Sequence, residues 1–169
     1  MELSLDQLAE FLVRARRHGY AGDAEKTATP QRPGFKEFAP YVEGNLEYVD
    51  SYAGYYYAPG QEVVRENGVP VWMMAYSGGM LPAHHGDKRL ASETFAFLKS
   101  VLLKARPSTP FRGPPFIQGN KFTYIDLSDG DLSQFHGHER IFYRGEVVFR
   151  QDYVGGLVVP KDPKAVSVK

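Results

Sequence analysis

The chain has 169 residues, a length typical of one domain with a sizeable core. Its 20 basic and 20 acidic residues balance, which argues against a nucleic-acid or membrane-surface binder because such proteins usually carry a basic excess. The chain contains no cysteine, which excludes disulfides, thiolate nucleophiles and metal sites with cysteine ligands. The N-terminal residues include acidic side chains and no apolar stretch of the signal-peptide type, so we expect a cytoplasmic protein.

The first predicted element is a helix that begins after Ser4. Ser4 and Gln7 have the spacing of a capping box, and apolar residues recur after them at helical spacing. The basic residues near the end of this helix are Arg14, Arg16, Arg17 and His18. Positive charge suits the C-terminal end of a helix dipole, so we expect this cluster to be solvated, with phosphate contact as the alternative.

Residues 20–43 form the least regular segment of the sequence and are rich in glycine, proline and threonine. A connection of this length inside a compact domain is typically a lid, a binding loop or a disordered segment. The sequence does not distinguish among these three.

The rest of the chain contains an internal repeat. Residues 44–80 match residues 119–157, with Gly44 and Gly119 lying 75 positions apart and Glu62 and Glu139 lying 77 apart. The matched groups include Gly44-Asn45 with Gly119-Asn120, Tyr48-Val49-Asp50 with Tyr124-Ile125-Asp126, and Gly60-Gln61-Glu62 with Gly137-His138-Glu139. A match held over a whole segment indicates an internal duplication.

Each copy predicts one helix followed by strands. Leu46–Tyr52 has strand character, and Asn67-Gly68 is a strong hairpin signal between two further strands. A second helix is predicted over about 91–105. We therefore expect an α+β fold, in which two α-β-β-β units form an antiparallel sheet with the helices packed on one face.

The predicted organisation is a single domain, 1–169, made of two repeats over about 4–80 and 91–158. A loosely ordered tail, 159–169, is expected to follow. The duplication predicts a pseudo-twofold axis with equivalent strands meeting near the centre of the sheet.

Strand residues alternate between the two faces of a sheet, which assigns faces in the last strand of each copy. Trp72 and Tyr76, with their counterparts Phe149 and Tyr153, are large and apolar and should face the core. The opposite face of the first copy carries Val71, Met73 and Ala75, an apolar strip that helix or loop could cover, that could form a homodimer contact, or that could line a ligand cavity.

Glu62 and Glu139 occupy the same position of the repeat and are the matched polar pair of greatest interest. In an aromatic cleft, such carboxylates would bind a cationic or polyhydroxy ligand, or would act as a general base if desolvation raised the pKa. The alternative is that each begins a strand and faces water. Asp50 and Asp126 also match, and we expect them to bond backbone donors in turns.

His136 and His138 would share one face of a strand, a spacing suited to metal ligands. The first repeat has no histidine at the matching positions. The sequence has no nucleophile elbow, no Walker loop and no dinucleotide-binding glycine pattern after a strand. We therefore assign no catalytic residue and no cofactor.

Several segments resemble a known family. They are Gly137-His138-Glu139-Arg140-Ile141-Phe142-Tyr143-Arg144-Gly145, Asp152-Tyr153-Val154-Gly155-Gly156-Leu157, Phe11-Leu12-Val13-Arg14-Ala15 with Tyr20-Ala21-Gly22, and Phe111-Arg112-Gly113-Pro114. They are similar to a prokaryotic family of unknown function whose domain occurs alone or behind helix-turn-helix domains of regulators. The resemblance covers about residues 8–158 and implies a sensing or interaction role. It supplies no activity and no catalytic residues.

The leading hypothesis is a small-ligand-binding or sensor-like domain, dimeric, with an aromatic cleft between the repeats. Trp72, Tyr76, Phe149 and Tyr153 would line the cleft, and Glu62 and Glu139 would supply its polarity. One alternative is a small hydrolase or isomerase that uses Glu139 with His136 or His138. Another is a dimeric protein-interaction module. The expected partners are a small molecule and a second copy of the chain, with no nucleic acid and no membrane.

Overall fold

The computed structural model describes residues 3–22, 24–162 and 168. Two helices, α1 (Leu5–His18) and α2 (Lys88–Leu102), precede the two sets of strands. The strands are β1 (Lys36–Glu37), β2 (Tyr41–Glu43), β3 (Leu46–Tyr52), β4 (Gly60–Glu66), β5 (Val69–Met80), β6 (Phe116–Gln118), β7 (Phe122–Asp131), β8 (Gln134–Tyr143) and β9 (Glu146–Leu157). Among the described residues, neither helix is long and apolar enough to cross a membrane.

All strand pairings between named strands are antiparallel and build one sheet in the order β1-β3-β4-β5-β9-β8-β7-β6, with β2 also paired to β3. The α+β fold with an antiparallel sheet is therefore confirmed. Two three-stranded units, β3-β4-β5 and β7-β8-β9, have the same connectivity and meet through their last strands. Tyr76 of β5 pairs with Tyr153 of β9, its counterpart in the repeat, so the two units are related about the centre of this seam.

The local signals read from the sequence explain these elements. Ser4 and Gln7 form the capping box that starts α1. The Asn67-Gly68 hairpin has both residues at positive φ, and Arg144-Gly145 adopts the same conformation in the second unit. The second helix begins three residues earlier than predicted, because Asp87 caps it by accepting a hydrogen bond from the Leu90 amide, and it ends at Leu102 instead of Ala105.

One face of the sheet, which we call the inner face, packs against both helices. Leu8, Phe11 and Leu12 of α1 form one core cluster with the strands of the first unit, centred on Trp72 and Met74. Leu90, Leu98 and Val101 of α2 form the second cluster with Tyr124, Ile141 and Phe149. The clusters also cross the seam, since Phe135 and Tyr153 of the second unit pack in the first cluster and Met80 of the first unit packs in the second.

The predicted tail mostly lies outside the described residues. Val168, which is described, is buried in the first cluster and forms a bridge with Leu3. The predicted division into two duplicated units of a single domain stays a prediction.

Candidate ligand-binding site

Four carboxylates lie on the inner face of the sheet. Asp50 pairs across the strands with Glu62, and Asp126 pairs with Glu139, so the two units place the same two acids side by side. All four are buried, and Glu139 is completely inaccessible to solvent. The prediction that Asp50 and Asp126 end strands at turns is wrong: both lie within strands, where the alternation of side chains turns them toward the helices.

Two buried arginines neutralise the two glutamates. Arg16 of α1 donates from Nε to Glu62 Oε2 at 2.7 Å. Arg112, in the loop after α2, donates from Nη2 to Glu139 Oε1 at 2.8 Å, and its Nη1 lies 3.6 Å from Glu62 Oε1. Arg112 therefore links the glutamates of the two units. Taking four such charges out of water is costly unless they are paired and hydrogen-bonded, which this network achieves.

Tyrosines complete the network in both units. Tyr76 donates to Asp50 Oδ1 at 2.7 Å, and Tyr153 donates to Asp126 Oδ1 at 2.8 Å. Tyr124 donates to Glu139 Oε2 at 2.7 Å. Gln151 adds a further hydrogen bond from Nε2 to Glu139 Oε1 at 2.9 Å. These contacts fix the carboxylates in place and satisfy most of their acceptor capacity.

The two aspartates differ chemically from the two glutamates, since neither aspartate is paired with an arginine. Burial, and then the negative charge of Glu62, raise the pKa of Asp50 to about 7. Burial, and then the charge of Glu139, raise the pKa of Asp126 to about 7 as well. Both carboxyl groups therefore change protonation state near neutral pH.

A cavity of about 480 Å³ lies over the seam on the side of the first unit. Its polar floor is formed by Arg16, Asp50, Glu62, Tyr76, Arg112 and Gln151. Aromatic side chains supply the walls, namely Tyr20, Tyr48, Tyr52, Tyr55, Phe95 and Phe149. The exposed residues Ser92 and Ala96 of α2 lie along its rim. The volume and the mixture of apolar walls with a few convergent polar groups are typical of small-molecule sites.

The structure brings three of the six predicted ligand-binding residues to this cavity: Glu62, Tyr76 and Phe149. Glu139 lies beneath the floor, bound to Arg112. Trp72 and Tyr153 belong to the packed core, where the Trp72 indole donates to the Leu132 carbonyl at 3.1 Å. The expected alternative, in which Glu62 and Glu139 begin strands and face water, is wrong.

Repeat-related residues of the inner face have different surroundings in the two units. Phe149 and Gln151 line the cavity, while their counterparts Trp72 and Met74 pack in the cluster around α1 and do not line it. In that cluster Phe111 stacks on Phe135 with ring centroids 4.5 Å apart. The cavity is therefore lined at these positions by residues that differ between the copies.

Sequence reasoning missed both arginines. The sequence predicts that Arg16 is solvated at the helix end, but the residue is only 6% exposed. A signal for this was available, since Leu8, Leu12 and Arg16 are spaced by four and lie on one helix face. Arg112 follows a helix in a loop of irregular sequence, and no spacing rule relates it to Glu139.

The two histidines lie away from this site. His136 and His138 occupy the outer face of β8, because side chains alternate along the strand and Glu139 points inward. Among the described residues, no three His, Asp or Glu side chains come together as metal ligands would. The geometry therefore offers no pairing of Glu139 with either histidine for acid–base chemistry.

The predicted outer strip of the first unit is not continuous. Val71 is buried in the core cluster that contains α1 and Trp72, beside a register shift in the pairing of β4 with β5 that interrupts the alternation of side chains. Met73 and Ala75 are exposed beside Val154 of the neighbouring strand, on the face of the sheet opposite to the cavity.

Comparison with known proteins places the chain in a family without assigning an activity. No curated protein and no solved structure matches the chain. Residues 50–158, well over half of the sequence, match the family model of a domain of unknown function, DUF5680. The match spans Asp50, Glu62, Arg112 and Glu139 but begins after α1 and therefore excludes Arg16. The chain belongs to the DUF5680 family.

Proposed function

We propose that this protein binds a small molecule in the cavity over the seam and acts as a ligand-binding or sensor-like domain. The observation that carries the proposal is a cavity of about 480 Å³ with aromatic walls and a floor of buried, mutually neutralised charges. Folding alone gives little reason to keep such a floor, since replacing buried ion pairs by apolar side chains is often neutral or stabilising.

The arrangement of elements also supports binding. The cavity lies where two helices and two sheet units meet, so a bound molecule would contact α1, α2 and both units at once. Ligand binding would then stabilise the relative position of these elements, which is how a sensor domain transmits occupancy. The resemblance to a family whose domain also occurs behind helix-turn-helix domains agrees with a sensing role, and the cytoplasmic location stays a prediction.

The proposal is tested by blocking the cavity from its exposed rim. Ala96→Trp places a large side chain at the rim of the cavity on α2, and Ser100→Trp places the same side chain one turn further along, outside the cavity lining. Both positions are exposed, so we expect both variants to fold.

The measurement is a thermal-shift screen of the purified protein against a library of small metabolites. We expect at least one compound to raise the Tm of the wild type and of Ser100→Trp by several degrees and to leave Ala96→Trp unshifted. If no compound shifts the Tm, or if Ala96→Trp responds like the wild type, the cavity is not a binding site.

A further inference from the structure

The charges on the cavity floor are already balanced. Arg16 and Arg112 carry two positive charges, and Glu62 and Glu139 carry two negative charges in direct contact with them. Asp50, the remaining acid of the floor, is held largely protonated below neutral pH, because burial and Glu62 raise its pKa to about 7. A charged ligand group placed on this floor would therefore find no unneutralised counter-charge among the floor residues, and burying a charge without one is expensive.

The rim disfavours a cationic ligand as well. Lys99 of α2 lies with Nζ 4.9 Å from the centroid of the Tyr20 ring, and Lys36 lies 5.4 Å from that of Tyr52. Ammonium groups therefore already contact the faces of two wall tyrosines, and a second cation there would meet like charge. On the floor, an anion would lie beside the carboxylate of Glu62. The arginines that could attract the anion, Arg16 and Arg112, are already paired with Glu62.

The floor does offer hydrogen-bond donors. Arg16 Nη2 is buried and has no partner among the described residues. Tyr76 donates to Asp50 Oδ1, so the protonated Asp50 keeps its own O–H available for donation. A buried donor without an acceptor is costly, and because Arg16 lines the cavity, an oxygen acceptor on a ligand that reached its Nη2 would remove that cost.

The walls indicate a flat ligand body. Tyr55 packs edge-on against Phe95 of α2 with ring centroids 5.6 Å apart, and Phe95 packs in turn against Phe149 of β9 at 6.4 Å, so these rings form one continuous aromatic wall. Aromatic rings of this kind bind flat apolar groups by stacked and edge-on contacts.

Building on the ligand-binding function proposed above, we propose that the cavity takes an uncharged, flat molecule that presents a carbonyl-type hydrogen-bond acceptor to Arg16 and Asp50. Amides, lactones and related neutral carbonyl compounds have this chemistry. The carboxylate and amine analogues of these compounds have the same apolar body but carry a charge that the floor of the cavity does not neutralise.

The test compares matched probes that differ only in the polar group. The first series is phenylacetamide, phenylacetate and phenethylamine, and the second is indole-3-acetamide, indole-3-acetate and tryptamine. Binding to the wild type, to Ala96→Trp and to Ser100→Trp is measured by calorimetry at pH 6, where the acids and the amines are charged. We expect the amide to bind at least about tenfold more tightly than its two analogues in at least one series.

The possible outcomes separate the class of ligand from the existence of the binding site. If a carboxylate or an amine binds as tightly as its amide, and Ala96→Trp abolishes that binding, the cavity is a site but not for neutral carbonyl compounds. If none of the six probes binds, the neutral-ligand inference fails, while the library screen with Ala96→Trp still decides whether the cavity is a site. If binding survives in Ala96→Trp, the assignment of the cavity fails as well.

A second readout follows from the protonation of Asp50. The charged and titratable groups that face it come from several elements. They are Glu62 from β4, Tyr76 from β5, Tyr48 and Tyr52 from β3, Arg16 from α1, Tyr20 from the turn after α1, and Arg112 from the loop after α2. Because the protonated form donates to the acceptor, amide binding should weaken as the pH rises through about 7. Binding that strengthens over this range would overturn the inference, since it would show that the ligand prefers the ionised carboxylate.

Discussion

Asp50 and Glu62 stand opposite each other on neighbouring strands, yet only Glu62 has arginine partners. One acid of the pair therefore lies in ion pairs with two arginines, while burial and its neighbour raise the pKa of the other, Asp50, to about 7. This division of roles comes from the positions of two guanidinium groups rather than from any difference in burial, since both acids are buried.

Asp50 should make the stability of the protein depend on pH. The pKa of this group is raised from 3.8 to about 7 in the folded state, so its stabilising contribution is present below pH 4 and is lost as the pH rises to 7 and beyond. Asp50→Asn keeps the acceptor for Tyr76 and removes the ionisation. We expect the variant to be more stable than the wild type at pH 8, by on the order of 2–4 kcal/mol, and nearly equal to it at pH 4.

Urea unfolding at a series of pH values measures this difference. Asp129→Asn, at an exposed position of β7, is the control and should follow the wild-type profile. An Asp50→Asn profile parallel to the wild type between pH 4 and pH 8 would show that Asp50 titrates normally.

Arg112 should be the most sensitive single residue of the network. Arg112→Gln leaves Glu139 buried without its counter-charge, and we expect a loss of about 3–5 kcal/mol of unfolding free energy. Arg89→Gln, which breaks the exposed pair with Glu93, should cost less than about 1 kcal/mol.

A double-mutant cycle with Glu139→Gln separates charge from packing. The double variant should be more stable than Arg112→Gln alone, because removing the second charge removes the desolvation cost of the first change. Strictly additive losses would mean that Arg112 acts through packing and not through its charge.

At the scale of the elements, each unit uses a glycine in its middle strand to admit a tyrosine from the neighbouring strand. A side chain on Gly60 would collide with the Tyr76 ring, and one on Gly137 would collide with the Tyr153 ring. These rings carry the hydroxyls that bind Asp50 and Asp126. The repeated Gly-x-Glu pattern is therefore a packing device that also places the acids.

Gly60→Ala should destabilise the protein by about 1–3 kcal/mol, because the added methyl group overpacks the inner face against Tyr76. Gly137→Ala should do the same in the second unit. Gln61→Ala, on the outer face of the same strand as Gly60, should change the stability by less than about 0.5 kcal/mol. Thermal unfolding of the three variants provides the comparison, and equal stability of Gly60→Ala and Gln61→Ala would refute the packing role.

Local patterns predicted the elements well and the site only in part. The capping box, the Asn67-Gly68 turn and the alternation in β5 and β9 are set by neighbouring residues, so they could be read along the chain. The partners of Glu62 and Glu139 could not, since Arg16 lies 46 positions from Glu62 and Arg112 lies 27 from Glu139. Only the folded sheet brings these side chains together. The folded sheet also pairs Glu62 with arginine and leaves Asp50 without such a partner among the described residues.

At the scale of the whole molecule, the cavity depends on more than the family domain. Residues 50–158 supply most of its lining, but Arg16 and Tyr20 come from α1 and the turn after it. Studies of binding should therefore use the full chain. The homodimer expected from the exposed part of the outer strip, Met73 and Ala75, stays a prediction that light scattering at low concentration can test.

The seam between β5 and β9 also has consequences for how the chain folds. Trp72 pairs with Leu157 and Tyr76 with Tyr153, contacts that close loops of more than seventy residues. Closing such loops is entropically costly and slows folding, so the central contacts should form late, after the hairpins on either side. Without this pairing, β5 and β9 would each be an unpaired edge strand of its own unit. Since neither unit is complete alone, both should unfold in a single kinetic phase. We therefore expect the pairing of β5 with β9 to be the slow step in the folding of the whole chain.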